Sequence, residues 1–216
     1  MREVELYKDQ KVYKINLFGL TREMPLVKVD DGIWIASDAE LVLGDTEFIE
    51  KAAVNIAKLI QPYNPEVLVT PEAKSIAFAY EVSKQLGHRR FVIARKSVKA
   101  YMKDYLIETV KSITTKGEQK LVLTKESAEY IKGKRVCIID DVVSTGGTIL
   151  ALKALVKKAG GKIVCEAAIW KEGPWYRGSN LIFVDILPIF VSEDRVKEFG
   201  ENIERKMVRV RDDRKE

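Results

Sequence analysis

Residues 136–148 read Val-Cys-Ile-Ile-Asp-Asp-Val-Val-Ser-Thr-Gly-Gly-Thr, and the fold follows from this stretch. Its first four residues form a short, fully apolar run, which is typical of a strand buried on both faces of a parallel sheet. Two carboxylates, Asp140 and Asp141, come directly after the run. Because ligands of open parallel sheets bind beyond the carboxyl ends of the strands, we expect both acids to lie at a binding crevice.

The segment after the two acids predicts a phosphate site. Ser144, Thr145, Gly146, Gly147 and Thr148 precede a predicted helix, so that their N–H groups and hydroxyls can surround a phosphate at the positive end of the helix dipole. Neither a Walker loop nor the Gly-x-Gly-x-x-Gly spacing is present, which disfavours a nucleoside triphosphatase or a dinucleotide enzyme. We therefore expect a monophosphate.

The paired acids are then suited to hold the vicinal hydroxyls of a sugar, or Mg²⁺, because that ion prefers hard oxygen ligands. The alternative is that Asp140 and Asp141 only cap a turn. Two adjacent acids at the end of a buried strand carry a desolvation cost that disfavours this alternative.

Helical and strand patterns alternate on both sides of this stretch. Such alternation predicts an α/β fold with a doubly wound, mostly parallel sheet. The predicted elements are a helix over 45–60 that Asp45 caps, a strand over 67–69, a helix over 76–86, a strand over 91–94, the strand over 136–139, a helix over 148–159 and a strand over 163–170.

Three segments fall outside this alternation. Residues 1–36 are predicted to form a small hood subdomain of short strands and turns, with breaks at Gly19, Pro25 and 30–32. Residues 97–124 alternate like the two strands of a flexible hairpin flap. Residues 191–216 carry apolar side chains at spacings of three and four, which predicts an amphipathic helix. Residues 37–190 then form the α/β core.

Composition narrows the classes of function. The chain has 216 residues, enough for one core with an appended subdomain, and a formal net charge of +5, which suits nucleic acid, a polyanionic small molecule or solubility alike. Cys137 and Cys165 lie in apolar runs, and with His88 as the single histidine there is little material for a zinc site or a histidine-based triad. No apolar run is long enough for a membrane span or a signal peptide, so we expect a cytoplasmic protein.

Residues 136–148 resemble the motif with which type I phosphoribosyltransferases bind phosphoribosyl pyrophosphate (PRPP): an apolar run, two acids and a Thr-Gly-Gly-Thr loop. The resemblance extends over residues 33–170. It implies that Asp140 and Asp141 contact the ribose hydroxyls and hold Mg²⁺ directly or indirectly. It also implies that the loop from Val143 through Thr148 binds the 5-phosphate.

Two further segments resemble parts of the purine enzymes of this family. The run Val-Thr-Pro-Glu-Ala-Lys-Ser at 69–75 resembles their pyrophosphate loop, which usually has Arg-Gly after Glu-Ala or Glu-Ser. Here Lys74 supplies a flexible point charge in place of arginine, and Ser75 replaces glycine. Because glycine permits backbone conformations that serine does not, the sequence does not decide whether the loop has the family's backbone shape. By this resemblance Glu72, Ala73, Lys74 and Ser75 bind pyrophosphate.

The pair Arg95 and Lys96 follows a predicted strand. It is similar to the Arg-Lys pair that meets pyrophosphate, often across a dimer interface, in the adenine and xanthine enzymes. The resemblance adds Lys99, Tyr101 and Lys103 as flap contacts and implies a homodimer. In the family, the flap closes over PRPP and excludes water.

The resemblance therefore implies a magnesium-dependent purine salvage enzyme, in which a base nitrogen attacks the anomeric carbon of PRPP and pyrophosphate leaves. The Glu-Ala loop and the Arg-Lys pair favour adenine. The flap looks more like that of the xanthine enzyme, so xanthine, guanine and hypoxanthine remain alternative substrates. In this family a hood outside the sheet recognises the base, and the candidate segments here are 12–36 and the tail after Gly173. Among their aromatic side chains, Phe18, Trp34 and Trp175 can either stack on a base or belong to the core.

Two alternatives belong to other classes. A non-catalytic, PRPP-sensing transcriptional regulator uses the same fold, but it carries a winged-helix domain, for which the sequence before Asp45 is too short and too rich in turns. We therefore expect neither a nucleic acid nor a membrane as a partner. A PRPP synthetase is disfavoured because the chain is short and shows no ATP motif.

Overall fold

A computed structural model of the protein describes residues 3–100, 102–110, 119–197 and 199. Its strands are β1 Val4–Leu6, β2 Val12–Leu17, β3 Leu20–Asp30, β4 Ile33–Ala36, β5 Val67–Pro71, β6 Val92–Ala94, β7 Tyr105–Val110, β8 Gln119–Thr124, β9 Arg135–Val143, β10 Lys162–Glu172, β11 Leu181–Leu187 and β12 Ile189–Val191. Its α-helices are α1 Ala39–Leu43, α2 Thr46–Ile60, α3 Ile76–Gln85, α4 Lys125–Ile131 and α5 Gly147–Lys158.

The central sheet is parallel throughout, in the order β11-β10-β9-β5-β6. One face packs against α2 and α3 in a core that includes Phe48 and Phe78, and the other packs against α5 through residues such as Leu152. Fully apolar strands suit this position because helices cover both faces of the sheet. The predicted doubly wound α/β fold is confirmed.

A second sheet lies at the carboxyl edge of the first, in the order β1-β12-β4-β3-β2. Strand β12 pairs in parallel with β1 and antiparallel with β4, so the hood takes strands from both sides of the core and not from residues 1–36 alone. The tail after Gly173, predicted as one hood candidate, divides between the two sheets: β11 extends the central sheet and β12 joins the hood.

Strand β3 runs through Pro25, where the sequence predicts a break. The strand changes partner at this point, because Pro25 is the last residue paired with β2 and Leu26 is the first paired with β4. A proline is tolerated where a ladder ends, since the missing N–H is not needed there. The carbonyl of Pro25 still accepts a hydrogen bond from the N–H of Ser37 at 3.0 Å.

The predicted hairpin is confirmed for its described residues, since β7 and β8 pair antiparallel. Val122 exchanges two backbone hydrogen bonds of 2.8 Å with Arg95, which joins the hairpin to the end of β6. Val110 and Leu121 are buried in the core on the α5 side. The base of the hairpin is thus fixed to the core, whereas Tyr101 and residues 111–118 lie outside the described residues.

Helix α2 begins as predicted, because the Asp45 carboxylate accepts a hydrogen bond from the N–H of Phe48 at 3.0 Å. Arg22 of β3 donates to the same carboxylate at 2.6 Å and so connects the hood to the core. This bond lowers the pKa of Asp45. The predicted helix over 191–216 starts later, since Val191 belongs to β12 and the described helical residues are 193–197 and 199.

Cys137 and Cys165 are both buried and unbridged, and they are paired neighbours on β9 and β10. Within the described residues, no helix has both the length and the apolar character that crossing a bilayer requires.

Candidate active site

Asp140 and Asp141 lie within β9 rather than after it, because β9 continues to pair with β10 as far as Val143. Only 7% and 9% of their surfaces are exposed. The Oδ1 atom of Asp140 accepts hydrogen bonds from the Ser75 hydroxyl at 3.0 Å and from the N–H of Asp141 at 2.9 Å. Burial, followed by the nearby Asp141 carboxylate, raises the pKa of Asp140 well above its usual value. A cation beside this pair would favour the charged form.

The predicted phosphate loop turns from β9 into the amino end of α5. Gly146 is the residue before the helix and has φ +82°, a left-handed conformation that L side chains rarely adopt. The ring of Tyr176 covers it so closely that a Cβ at position 146 would lie 2.2 Å from Cδ2 of the ring. Glycine is therefore required here for two independent reasons.

Of the predicted pyrophosphate loop at 69–75, the first three residues belong to β5. Residues 72–75 join β5 to α3 and contain a cis peptide bond between Glu72 and Ala73. Ser75 has φ −85° and ψ 3°, which any residue adopts, so serine in place of glycine does not strain this backbone. Lys74 is exposed and is one of the residues that line the cavity described below.

Glu72 connects this loop to the end of β6. Its Oε2 atom accepts hydrogen bonds from the N–H of Lys96 at 2.9 Å and from Nε of Arg95 at 3.1 Å. These bonds, with that of Lys96 the larger cause, lower the pKa of Glu72, and the charge of Lys99 acts in the same direction. Arg95 is thus engaged by a protein carboxylate in this structure.

A cavity of about 310 Å³ lies where the central sheet, the hood and the hairpin meet, a volume suited to a small ligand. Eight of the predicted site residues line it: Glu72, Ala73, Lys74, Ser75, Lys96, Asp140, Asp141 and Thr148. Eight described ones do not: Arg95, Lys99, Lys103, Val143, Ser144, Thr145, Gly146 and Gly147. Of these, Val143 ends β9, Gly147 begins α5, and Ser144, Thr145 and Gly146 form the loop between them.

The remaining lining residues were not singled out by the sequence, although some of them lie in the predicted hood segment 12–36 and in the predicted flap 97–124. The hood and α1 contribute Met24, Ile35, Ala36, Ser37, Asp38 and Val42; the hairpin contributes Val110, Lys120 and Leu121; β10 contributes Trp170 and Glu172. Phe18, Trp34 and Trp175, the aromatic candidates for stacking, do not line the cavity. Their rings contact other rings of the protein, those of Phe48, Tyr7 and Phe199 respectively.

Glu172 is the unpredicted residue closest in character to the acid pair. It ends β10 and is 7% exposed. Burial raises its pKa, its interaction with the Ser144 side chain acts to lower the pKa, and the charge of Asp141 adds to the effect of burial. The sequence signal that identified Asp140, an acid after an apolar strand, is also present at Glu172.

Among the described residues, no group of three or more His, Cys, Asp and Glu side chains is arranged to hold a metal ion. The adjacent carboxylates of Asp140 and Asp141 still fit Mg²⁺, which is usually bound through one or two carboxylates together with substrate phosphates and water.

Comparison with known proteins agrees with this geometry. Residues 44–205 match the family described as phosphoribosyl transferase domain. Proteins named adenine phosphoribosyltransferase are similar in sequence: that of Petrotoga mobilis is 33% identical over 143 residues, 65% of this chain and 79% of the relative. A relative from Methanococcus maripaludis is 31% identical over 167 residues, 76% of this chain and 83% of its own length.

Solved structures show the same fold. The adenine phosphoribosyltransferase of Thermoanaerobacter pseudethanolicus has a TM-score of 0.60 at 23% identity, over 82% of this chain and 95% of that chain. That of Rhodothermus marinus has a TM-score of 0.57 at 23% identity, over 83% and 96%. The family match covers well over half of the sequence and contains the acid pair, the phosphate loop and the pyrophosphate loop. The chain therefore belongs to the phosphoribosyltransferase family.

Proposed function

We propose that this protein is a purine salvage enzyme that transfers ribose 5-phosphate from PRPP to adenine and releases AMP and pyrophosphate. The observation that carries the proposal is a single cavity lined by the acid pair, by Thr148 in the first turn of α5 and by a lysine-bearing loop. Adenine is the first choice because the similar curated relatives, 31% and 33% identical, are named for it.

The proposed roles follow the parts of PRPP. Asp140 and Asp141 bind the ribose hydroxyls, and the loop from Val143 through Thr148 binds the 5-phosphate at the amino end of α5. Glu72, Ala73, Lys74 and Ser75 form the pyrophosphate site, with Arg95, Lys96 and Lys99 adding positive charge. As pyrophosphate departs, positive charge builds on the ribose, and the two buried carboxylates stabilise it.

Phosphoribosyltransferases generally use Mg²⁺ together with PRPP. In this protein Asp140 and Asp141 would hold the ion, with ligand oxygens completing its shell. The bound ion would neutralise charge on the departing pyrophosphate. Lys74 and Lys96, which line the cavity, bring their own charge to the same leaving group.

The base belongs on the hood side of the cavity, where Met24, Ile35 and Ala36 supply apolar surface and Ser37 and Asp38 supply polar groups. This combination of apolar surface and a few polar groups is typical of a small-molecule site. We place the reaction in the cytoplasm and expect a homodimer. Light scattering in solution would measure the mass of the assembly.

The proposal is tested by incubating the protein with PRPP, Mg²⁺ and each of adenine, hypoxanthine, guanine, xanthine and orotate, and separating the products by chromatography. Conversion of adenine to AMP supports the proposal, and turnover of another base alone corrects the substrate. Stoichiometric PRPP binding without turnover, together with salt-sensitive DNA binding, would instead identify a regulator.

The variant Asp140→Asn with Asp141→Asn removes the proposed ribose contacts and should abolish turnover. Asp30→Asn with Asp31→Asn makes the same change at an adjacent, exposed pair of the hood and should leave turnover unchanged. A fully active Asp140, Asp141 double variant would remove these acids from the mechanism.

A further inference from the structure

The hydroxyl of Ser75 lies between two parts of the site. Ser75 is 1% exposed, and its Oγ atom is 3.0 Å from Oδ1 of Asp140 and 3.4 Å from the carbonyl oxygen of Pro71. A serine hydroxyl carries a single proton, and a carboxylate at the shorter distance is the stronger acceptor. The hydroxyl therefore donates mainly to Asp140.

Ser75 occupies the position before α3, where serine commonly caps a helix by accepting a hydrogen bond from a backbone N–H of the first turn. No such bond is made by its side chain. Its partner is instead a carboxylate 65 residues further along the chain. The usual structural reason for a serine at a helix start does not account for this side chain.

We propose that Ser75 is a positioning residue, whose hydroxyl fixes the rotation of the Asp140 carboxylate and so couples the pyrophosphate loop to the ribose-binding acid. The inference rests on the proposed function. Two donors on Oδ1, from Ser75 and from the N–H of Asp141, hold the carboxylate in one orientation at the wall of the cavity. A ligand that orders residues 71–75 through its pyrophosphate thereby also orders the group that meets its ribose.

The size of the effect follows from the kind of bond. A hydrogen bond to a charged group corresponds to a change in equilibrium constant of roughly 10- to 100-fold. Ser75→Ala should therefore lower kcat/KM for PRPP by about that factor, and it should leave KM for the base unchanged because the base site lies toward the hood.

Ser83→Ala is the matched control. Ser83 lies on α3, the helix that Ser75 precedes, and is 3% exposed, and its hydroxyl has no hydrogen-bond partner among the described residues. The same chemical change there should leave kcat/KM for PRPP at the parent value. Equal losses in both variants would show that any buried serine of α3 matters only for the fold, and would overturn the proposal.

Two further variants separate the hydroxyl from the backbone. Ser75→Gly restores the residue that similar enzymes usually carry, and it should show the same loss as Ser75→Ala, because both lack the donor. A Ser75→Gly variant as active as the parent would overturn the proposal. Should Ser75→Ala fail to fold, Ser75→Cys keeps the size with a weaker donor and should show the reduced kcat/KM in its place.

A double-mutant cycle identifies the partner. Calorimetry with PRPP and Mg²⁺ should show that Ser75→Ala weakens PRPP binding in the parent but adds no loss to Asp140→Ala. Equal, additive losses in both backgrounds would mean that Ser75 does not act through Asp140. The parent is assayed first: no turnover with any base refutes the proposed function, whereas an active parent with an equally active Ser75→Ala refutes only the role of Ser75.

Discussion

The substitution Gly146→Ala tests how the phosphate loop is held. In the structure, Gly146 has φ +82°, and a Cβ there would lie 2.2 Å from Cδ2 and 2.6 Å from Cε2 of Tyr176. The Tyr176 ring cannot move aside freely, because its hydroxyl donates to the buried Glu166 at 2.6 Å. Lys153 of α5 contacts the same carboxylate, so that the ring is tied to the helix that follows the loop.

The expected cost has two parts. A left-handed conformation costs a residue with a side chain roughly 1–2 kcal/mol, and overpacking a well-filled site costs about 1–3 kcal/mol. Gly87→Ala is the matched control, since Gly87 has φ +72° and no atom within 4 Å of the added Cβ. Gly146→Ala should therefore be less stable than Gly87→Ala by about 1–3 kcal/mol, or ~2–12 °C in Tm for a chain of this size.

Urea unfolding followed by circular dichroism measures both variants, and KM for PRPP reports the displacement of the loop. Gly146→Ala should raise this KM, and Gly87→Ala should not. In a Tyr176→Ala background the collision is removed, so that Gly146→Ala should cost only the conformational part. Equal destabilisation by Gly146→Ala and Gly87→Ala in the parent would show that the Tyr176 contact does not constrain the loop.

Two further predictions concern charged groups. Lys74→Ala should weaken PRPP binding and inhibition by pyrophosphate, with little change in KM for the base. The control Lys58→Ala, at an exposed position on α2, should change neither PRPP binding nor inhibition by pyrophosphate. Unchanged kinetics in Lys74→Ala would show that residues 69–75 are not the pyrophosphate loop. The Arg22 bond holds the pKa of Asp45 below its usual value, so this residue contributes stability at neutral pH that is lost as the pH falls through the lowered pKa. Asp45→Asn keeps a good helix cap and loses the charge that faces Arg22, so it should be less stable at neutral pH by up to about 1 kcal/mol, with a flatter loss of stability below about pH 4 in urea titrations; an unchanged acid dependence would contradict this account.

The parts of the fold that the sequence predicts correctly are those with local signals. The apolar run of β9, the helical spacing of α2 with its cap at Asp45, and the alternation in β7 and β8 each lie within one short, continuous segment of the sequence. The order of these elements then limits the topology to a doubly wound sheet, because parallel neighbours require crossover helices.

The parts that it does not predict depend on contacts between distant segments. Strand β12 is three residues long, and only its pairing with β1 and β4 places it in the hood. Tyr176 follows the phosphate loop by 30 positions, and no local pattern shows that its ring covers Gly146. Glu172 differs from these two cases, because an acid at the end of a strand can be recognised in the sequence. It is missed because neither a second acid nor a glycine loop follows it.

These distant contacts also organise the site. Four neighbouring strands of the central sheet are connected near their carboxyl ends by side chains: Arg95 contacts Glu72 between β6 and β5, Ser75 contacts Asp140 between β5 and β9, and Ser144 contacts Glu172 between β9 and β10. From the sequence alone, five of these six side chains are assigned to ligand binding, and the sixth, Glu172, is not identified.

Such connections have a consequence for catalysis. Charge that builds on the ribose is stabilised most by groups that are already oriented, because no reorganisation is then needed during the reaction. The side-chain interactions across these four strand ends orient Asp140 and connect the proposed phosphate and pyrophosphate loops to neighbouring strands. Substitutions within this network should therefore be non-additive in their effect on kcat/KM for PRPP, whereas pairs drawn from the network and the distant α4 should add.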